Sequence, residues 1–110
     1  MQRNVVPITL AISATITSVA QGNGGVLCGL YVPKALTGTT LKVLAYNKNG
    51  EYQGIVSDGA GSDVSITVES ATDQFIRFDT TLYAGIEAVA FVTGSSQSSA
   101  IATLRPVFAV

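Results

Sequence analysis

Residues 40–56 have the sequence TLKVLAYNKNGEYQGIV, and this stretch decides the fold class. An apolar strand over 40–46 is followed by Asn47-Lys48-Asn49-Gly50, in which Asn-Gly favours the left-handed backbone conformations of tight hairpins. The return strand over 51–56 is short and polar, which is typical of a strand at a sheet edge. The stretch therefore predicts an antiparallel hairpin whose second strand lies at an edge.

Other short segments with strand-like composition are separated by turn residues along the chain. Residues 8–18 alternate apolar with small side chains, so we expect a first strand over 8–19. Asp79 and Gly85 are placed to cap and to stop a single helical turn. Ser95 to Ser99 has the composition of a low-complexity loop. Further strands are expected at 26–32, 64–69, 74–78, 86–93 and 100–109.

This succession predicts an all-β protein with one antiparallel β-sandwich of jelly-roll or immunoglobulin-like type and about eight short strands. Parallel strands would need crossover helices, and no segment has sustained helical periodicity. We expect the sandwich over residues 8–110, preceded by an N-terminal arm over residues 1–7, in which Pro7 cannot donate a ladder hydrogen bond.

The chain carries little charge for its length. Charged residues make up 12% of the sequence, about half the share in an average globular domain, and hydrophobic residues make up 47%. Such a surface is typical of an oligomer or a docked subunit. The six basic residues are never adjacent, so the sequence predicts no nucleic-acid partner.

Catalytic and metal-binding signals are weak. The chain has no histidine, which excludes Ser-His-Asp and Cys-His arrangements within it. Asp58 and Asp63 border a flexible loop that calcium could occupy, but their spacing favours a solvated loop. Cys28 lies in an apolar run and is expected to be a small buried residue. We therefore predict no enzyme activity, no catalytic residue, no cofactor and no metal.

Two groups of residues are candidates for partner binding. Tyr46 and Tyr52 flank the predicted hairpin turn, where they either anchor a partner or simply pack across the two strands. The arm is expected to lie on a neighbouring subunit, because chain termini stay mobile unless tied down. Its candidate residues are Arg3, Asn4, Val5 and Val6.

The N-terminal segment from Arg3 to Ala20 has some features of a secretory signal. Its regular alternation argues against that interpretation, because a signal needs a continuous apolar run. No stretch has enough consecutive apolar residues to span a bilayer, so we predict neither a signal peptide nor a membrane partner.

The order of several segments carries a resemblance over most of the chain. A Thr/Ser-rich strand and a glycine-rich turn precede a strand that ends in proline, a polar hairpin and the closing strands. The segments are Ala14 to Ser18, Leu27 to Pro33, Leu41 to Tyr46, Ile76 to Asp79, Leu82 to Ile86, Thr93 to Ser95 and 101–108. This order resembles small β-sandwich proteins of tailed-bacteriophage virions, of the capsid decoration (cement) or head-fibre-base type.

The resemblance implies a structural protein that binds the lattice of the major capsid protein, or other virion proteins, and stabilises the head. It implies a homo-oligomer, as a trimer or dimer, on the capsid surface of a virion after synthesis in the host cytoplasm. One alternative is a tail, baseplate or head-fibre component that acts as a receptor- or carbohydrate-binding module. Another is a weak glycosidase-like or lyase-like enzyme, which would need two acids facing one cleft.

Overall fold

The computed structural model describes residues 3–11, 13–95, 97 and 102–110, and these form two antiparallel sheets of five strands each. The first sheet contains β1 (Arg3–Val5), β2 (Ile8–Leu10), β4 (Val26–Val32), β8 (Gln74–Arg77) and β10 (Ala102–Ala109). The second contains β3 (Ala20–Gln21), β5 (Thr40–Tyr46), β6 (Tyr52–Ile55), β7 (Ser65–Thr67) and β9 (Ala88–Thr93). The predicted all-β class and the two-sheet sandwich are confirmed, with ten short strands within the described residues.

β10 occupies the middle of the first sheet. It pairs with β4 along one edge, and with β1 and β2 in succession along the other edge. β8 pairs with the outer edge of β4. In the second sheet the order is β3, β9, β5, and then β6 and β7 side by side against the same edge of β5.

Two prolines coincide at one interruption of the first sheet. Pro7 lies between β1 and β2, opposite the part of β10 that contains Pro106. The carbonyl of Pro106 accepts a hydrogen bond from the Val6 amide at 3.1 Å. A strand residue directs its N–H and C=O to the same side, so the missing N–H of Pro106 also faces this break and costs no bond to β4.

The core lies between the two sheets and consists of their inward-facing side chains. The first sheet contributes Leu27 and Leu30 from β4 and Phe108 from β10, each at most 1% exposed. The second contributes Val43 from β5 and Phe91 from β9, both fully buried. Burial of side chains of this size stabilises the fold by about 1.5–3 kcal/mol each. Within the described chain, no helix has the length and apolar character needed to cross a membrane.

The hairpin predicted at 40–56 is present as β5 and β6, and β6 lies at the edge of the second sheet as expected. Asn47 shapes its turn, because its Oδ1 accepts hydrogen bonds from the amides of Asn49 at 3.0 Å and Glu51 at 2.9 Å. Gly50 has a φ of 80°, in the left-handed region that favours glycine. Sequence and structure agree here because the residues that determine the turn lie within the hairpin itself.

The single strand predicted over 8–19 is wrong. The chain forms β2 in the first sheet, then crosses to the second sheet, where it reaches β3. Ser13, with a φ of 67°, lies in this crossing. Beyond it the alternation is reversed, because Ile16 is 50% exposed while Thr17 is 5% exposed. Ile12, which the prediction also placed on the apolar face, lies outside the described residues.

The other predicted strands are present as β4, β7, β8, β9 and β10, with ends that differ by one or two residues, and residues 100 and 101 of the last predicted strand lie outside the described residues. The predicted helical turn is a 3-10 helix, Thr80–Leu82, and Asp79 caps it by accepting a hydrogen bond from the Thr81 amide at 3.1 Å. Residues 3–5 of the predicted arm form β1, whereas residues 1 and 2 lie outside the described part of the chain.

Two buried polar residues hold the crossing segment and the loop at Thr37 in place. Gln97, 2% exposed, accepts a hydrogen bond from the Thr37 amide at 2.8 Å and donates to the Thr37 carbonyl at 2.9 Å. Its own backbone carbonyl accepts from the Ser13 amide at 2.8 Å. Thr17 accepts a hydrogen bond at its Oγ1 from the buried Phe91 amide at 3.0 Å. Gln97 therefore has a structural function that the predicted low-complexity loop did not indicate.

Thr17→Val should lower the free energy of unfolding by about 1–3 kcal/mol, because it preserves the shape of the side chain and leaves the Phe91 amide without this acceptor. Thr67→Val in exposed β7 is the matched control and should change stability by less than about 0.5 kcal/mol. Chemical denaturation of both variants measures the difference, and equal stability would contradict the proposed function of the hydroxyl group.

Tyr83 follows the 3-10 helix and belongs to the buried core. Its side chain is 2% exposed, and its ring lies 5.2 Å from that of Phe78, centroid to centroid. Burial raises the pKa of the Tyr83 phenol above its ordinary value of 10.0, and the nearby Asp79 carboxylate raises it further. Hydrogen bonds from Thr81 lower the pKa of Asp79, so that carboxylate stays charged.

Because the folded state favours the neutral phenol of Tyr83, its contribution to stability is fully present below pH 10 and is lost as the pH rises above that value. Tyr83→Phe removes the ionisable group, so the free energy of unfolding should fall less steeply above pH 10 than in the unmodified protein. Urea titrations between about pH 8 and pH 11 measure both slopes. Identical slopes would show that Tyr83 does not ionise differently in the two states.

Candidate functional site

All three arginines of the chain lie on strands of the first sheet, and all three are exposed. Arg3 is in β1, Arg77 in β8 and Arg105 in β10. None of the five strands of this sheet contains an aspartate or a glutamate. Three arginines that are far apart in sequence therefore lie on one sheet, whose strands carry no acidic side chain.

Strand register places these side chains on the outer face of the sheet. Arg105 lies opposite Tyr31, and Tyr31 lies opposite Phe75. Directly opposite residues of antiparallel strands project to the same face, and Tyr31 and Phe75 are 47% and 40% exposed. The three residues therefore form a row across β10, β4 and β8 on the side away from the core.

A second row follows two residues further along the strands. Val5 lies opposite Val107, which lies opposite Gly29, which in turn lies opposite Arg77. Arg3 precedes Val5 by two residues and so shares its face. We call this surface the arginine face and define it by its exposed side chains, Arg3, Val5, Tyr31, Phe75, Arg77 and Arg105.

The centre of the arginine face is aromatic. The rings of Tyr31 and Phe75 lie 4.5 Å apart, centroid to centroid, with 40° between their planes. The Phe75 ring covers Gly29, because a Cβ at that glycine would lie only 2.5 Å from the ring Cζ. A glycine inside a strand often marks such a close approach. The absence of a side chain at Gly29 thus allows the Phe75 ring to pack over it.

Two shallow depressions border this aromatic pair. The larger, about 410 Å³, is lined by Tyr31, Phe75, Arg105, Asp73 and Gln74, together with Val32 and Pro33. The smaller, about 190 Å³, is lined by Arg3, Cys28, Phe75, Arg77 and Phe78. The Asp73 carboxylate at the rim of the larger one accepts a hydrogen bond from the Lys34 amide at 2.8 Å.

The arginines have no intramolecular carboxylate partner within the described residues. The single ion pair found there joins Lys42 Nζ to Asp63 Oδ2 at 3.2 Å, on the second sheet. A guanidinium group presents donors in a rigid fork that matches a carboxylate. Three such groups on one sheet face are therefore available to an external partner.

The other predicted candidates fall into different places. Asn4 and Val6 are half-buried, and Val6 packs against the core, so of these four candidate residues of the arm Arg3 and Val5 are the exposed ones. Tyr46 and Tyr52 lie opposite each other in β5 and β6, with ring centroids 5.6 Å apart in an edge-to-face arrangement. The predicted cross-strand contact of the two tyrosines is confirmed, and their binding function stays a prediction.

The loop that could have held calcium uses its carboxylates internally. Asp58 Oδ1 accepts hydrogen bonds from the amides of Ala60 at 2.7 Å and Ser62 at 3.3 Å, and Asp63 pairs with Lys42. Among the residues that the structure describes, no group of three or more Cys, Asp or Glu side chains could hold a metal ion. Cys28 is half-buried beside the arginine face, so the expectation of a buried cysteine is wrong.

Comparisons of the chain with protein-family models, with curated protein sequences and with solved structures give no match. The arginine face is therefore interpreted from its own residues. Sequence reasoning identified Arg3 and Val5 but missed Tyr31, Phe75, Arg77 and Arg105. The alternation of Phe75 and Arg77 with Gln74 and Ile76 is a signal that these two side chains share a face, but it does not show that β8 pairs with β4.

Gly29→Ala should displace the Phe75 ring and lower the free energy of unfolding by about 1–3 kcal/mol, because the new methyl group overlaps the ring. Gly94→Ala is the matched control, since nothing lies within 4 Å of a Cβ there. Thermal unfolding measures stability, and the aromatic NMR signals of Phe75 report the ring position. Unchanged Phe75 signals in Gly29→Ala would contradict this packing.

Proposed function

We propose that this protein is a structural protein of a tailed-bacteriophage virion, a capsid decoration protein that binds the major capsid protein lattice and stabilises the head. The observation that carries the proposal is the arginine face, an exposed surface whose composition is that of a protein-protein contact. The resemblance in segment order supports the virion as its setting.

The composition of the arginine face matches the residues that protein interfaces favour. Arginine and aromatic residues are enriched in the buried centres of interfaces, whereas lysine, aspartate and glutamate are depleted. The five strands of the first sheet contain three arginines and no lysine, aspartate or glutamate. Tyrosine and arginine are also, with tryptophan, among the residue types that most often dominate binding energy.

The size of the face agrees with a subunit that touches several neighbours. Four strands abreast cover about 19 Å, and the eight residues of β10 extend over about 27 Å, which gives about 500 Å². A standard interface buries about 800 Å² on each partner, so this face needs additional contacts. Several modest contacts to a lattice add up to firm attachment through their effective concentration.

A second candidate function, a receptor- or carbohydrate-binding module of a tail, baseplate or head fibre, is favoured by the 410 Å³ depression. Tyr31 and Phe75 offer rings for stacking, and Arg105, Asp73 and Gln74 offer polar groups beside them. A glycan array tests this directly. Specific glycan binding that Tyr31→Ala abolishes would favour this candidate over capsid decoration.

Virions produced by the genome that encodes this chain should contain it at a copy number comparable to that of the major capsid protein. Particles that lack it should release DNA at a lower temperature, because each subunit adds interface area between its neighbours. Quantitative mass spectrometry and thermal DNA release measure the two quantities. A copy number that is a small fraction of the capsid protein's would indicate a tail or vertex component, and absence from virions would refute the proposal.

A further inference from the structure

The arginine face carries charge without compensation from its own sheet. Arg3, Arg77 and Arg105 are exposed, and within the described residues none lies within 4 Å of a carboxylate oxygen. Covering these groups with an uncharged surface would remove their hydration without replacing it, which is costly. Carboxylates supplied by the partner remove that cost, because arginine and carboxylate form paired, charge-assisted hydrogen bonds.

The spacing of the arginines argues for an extended partner surface. β10 and β8 are separated by β4, so Arg105 and Arg77 lie about 10 Å apart across the sheet. β1 and β8 are three strand spacings apart, which places Arg3 about 14 Å from Arg77 in that direction. With their backbones at these separations, the three guanidinium groups can each meet a separate carboxylate of an extended protein surface.

The apolar centre selects a protein over a uniform polyanion. Between the arginines lie Tyr31, Phe75 and Val5, each at least 40% exposed, which need apolar contact to be covered. The chain as a whole has a net charge of −1, whereas domains that bind a phosphate backbone typically carry a strong basic excess. An acidic protein patch with an apolar middle matches both parts of the face.

We infer that the arginine face docks on an acidic patch of a partner protein, whose carboxylates pair with Arg3, Arg77 and Arg105 around an apolar centre that covers Tyr31 and Phe75. This inference rests on the proposed function, which supplies the partner as a capsid or other virion protein. Binding of this kind weakens as salt concentration rises, because salt screens the attraction between the arginines and the carboxylates at the rim of the contact.

The sequence offers a matched pair of variants, because it contains three arginines and three lysines. Two combined variants lose the same charge. The arginine variant is Arg3→Gln, Arg77→Gln, Arg105→Gln, and the lysine variant is Lys34→Gln, Lys42→Gln, Lys48→Gln. Binding to purified particles that lack the protein is measured by sedimentation at several salt concentrations. Thermal unfolding checks that both variants are folded. If the combined arginine variant is unfolded, the single variant Arg105→Gln replaces it.

The arginine variant should bind particles at least about tenfold more weakly in total, because three arginine–carboxylate pairs are lost, and its binding should depend less on salt. The lysine variant should stay within about threefold of the unmodified protein. An equal loss of affinity in the two variants, or no loss in the arginine variant, would overturn the inference. The proposed function would still stand in that case, because the unmodified protein binds the particles.

A second measurement keeps the two proposals separate if the unmodified protein does not bind particles, an outcome that refutes capsid decoration. A short glutamate-rich peptide with a central leucine is titrated into the isotope-labelled full chain, beside the same peptide with glutamine in place of glutamate. Amide NMR shifts in β1, β4, β8 and β10 should appear with the first peptide alone. The inference would be overturned if no amide shifts appeared or if they appeared in other strands. It would also be overturned if heparin or phosphatidylglycerol vesicles bound to this face more tightly than the glutamate-rich peptide.

Discussion

The first sheet depends on β10, because this strand is hydrogen-bonded along both edges. β1 and β2 pair with β10 and with no other strand in the described chain, and β4 joins them only through it. Phe108 and Leu104 of β10 are fully buried in the core, so the same strand also holds the two sheets together. The position of Arg3 relative to Arg77 is set by this strand, together with β4 next to it.

The parts of the fold that could be predicted from the sequence have local causes. The hairpin at 40–56 was recognised because Asn47 and Gly50 determine a turn between neighbouring strands. The strand over 8–19 was predicted too long, because alternation reports that one side is buried and not which sheet buries it. Ser13 and the reversal at Ile16 and Thr17 belong to a crossing between sheets, for which the local sequence has no signal.

The candidate site was largely unpredictable for the same reason. The contact of Tyr46 with Tyr52 follows from the hairpin and was anticipated. The row of Arg105, Tyr31 and Phe75 requires that β10, β4 and β8 become neighbours in one register, although they are far apart in the chain. Gly29 shows the difficulty well, since its sequence context does not reveal the ring that rests on it.

The two outer faces of the molecule differ in how their charges are compensated. On the second sheet Lys42 is paired with Asp63, so that charge is neutralised within the protein. On the first sheet the arginines have no such pair within the described residues. The two sides therefore differ in electrostatic character, and attachment through the proposed arginine-face contact would leave the second sheet toward the solvent.

The position of β10 at the centre of its sheet also affects how the chain is made. β10 follows the nine other described strands in sequence, so β1, β2 and one edge of β4 have no partner on the ribosome until β10 has been synthesised. Unpaired edges with apolar side chains are the surfaces on which nascent chains aggregate. This sheet therefore cannot be completed until β10 has itself been synthesised, whatever the order in which its other strands form.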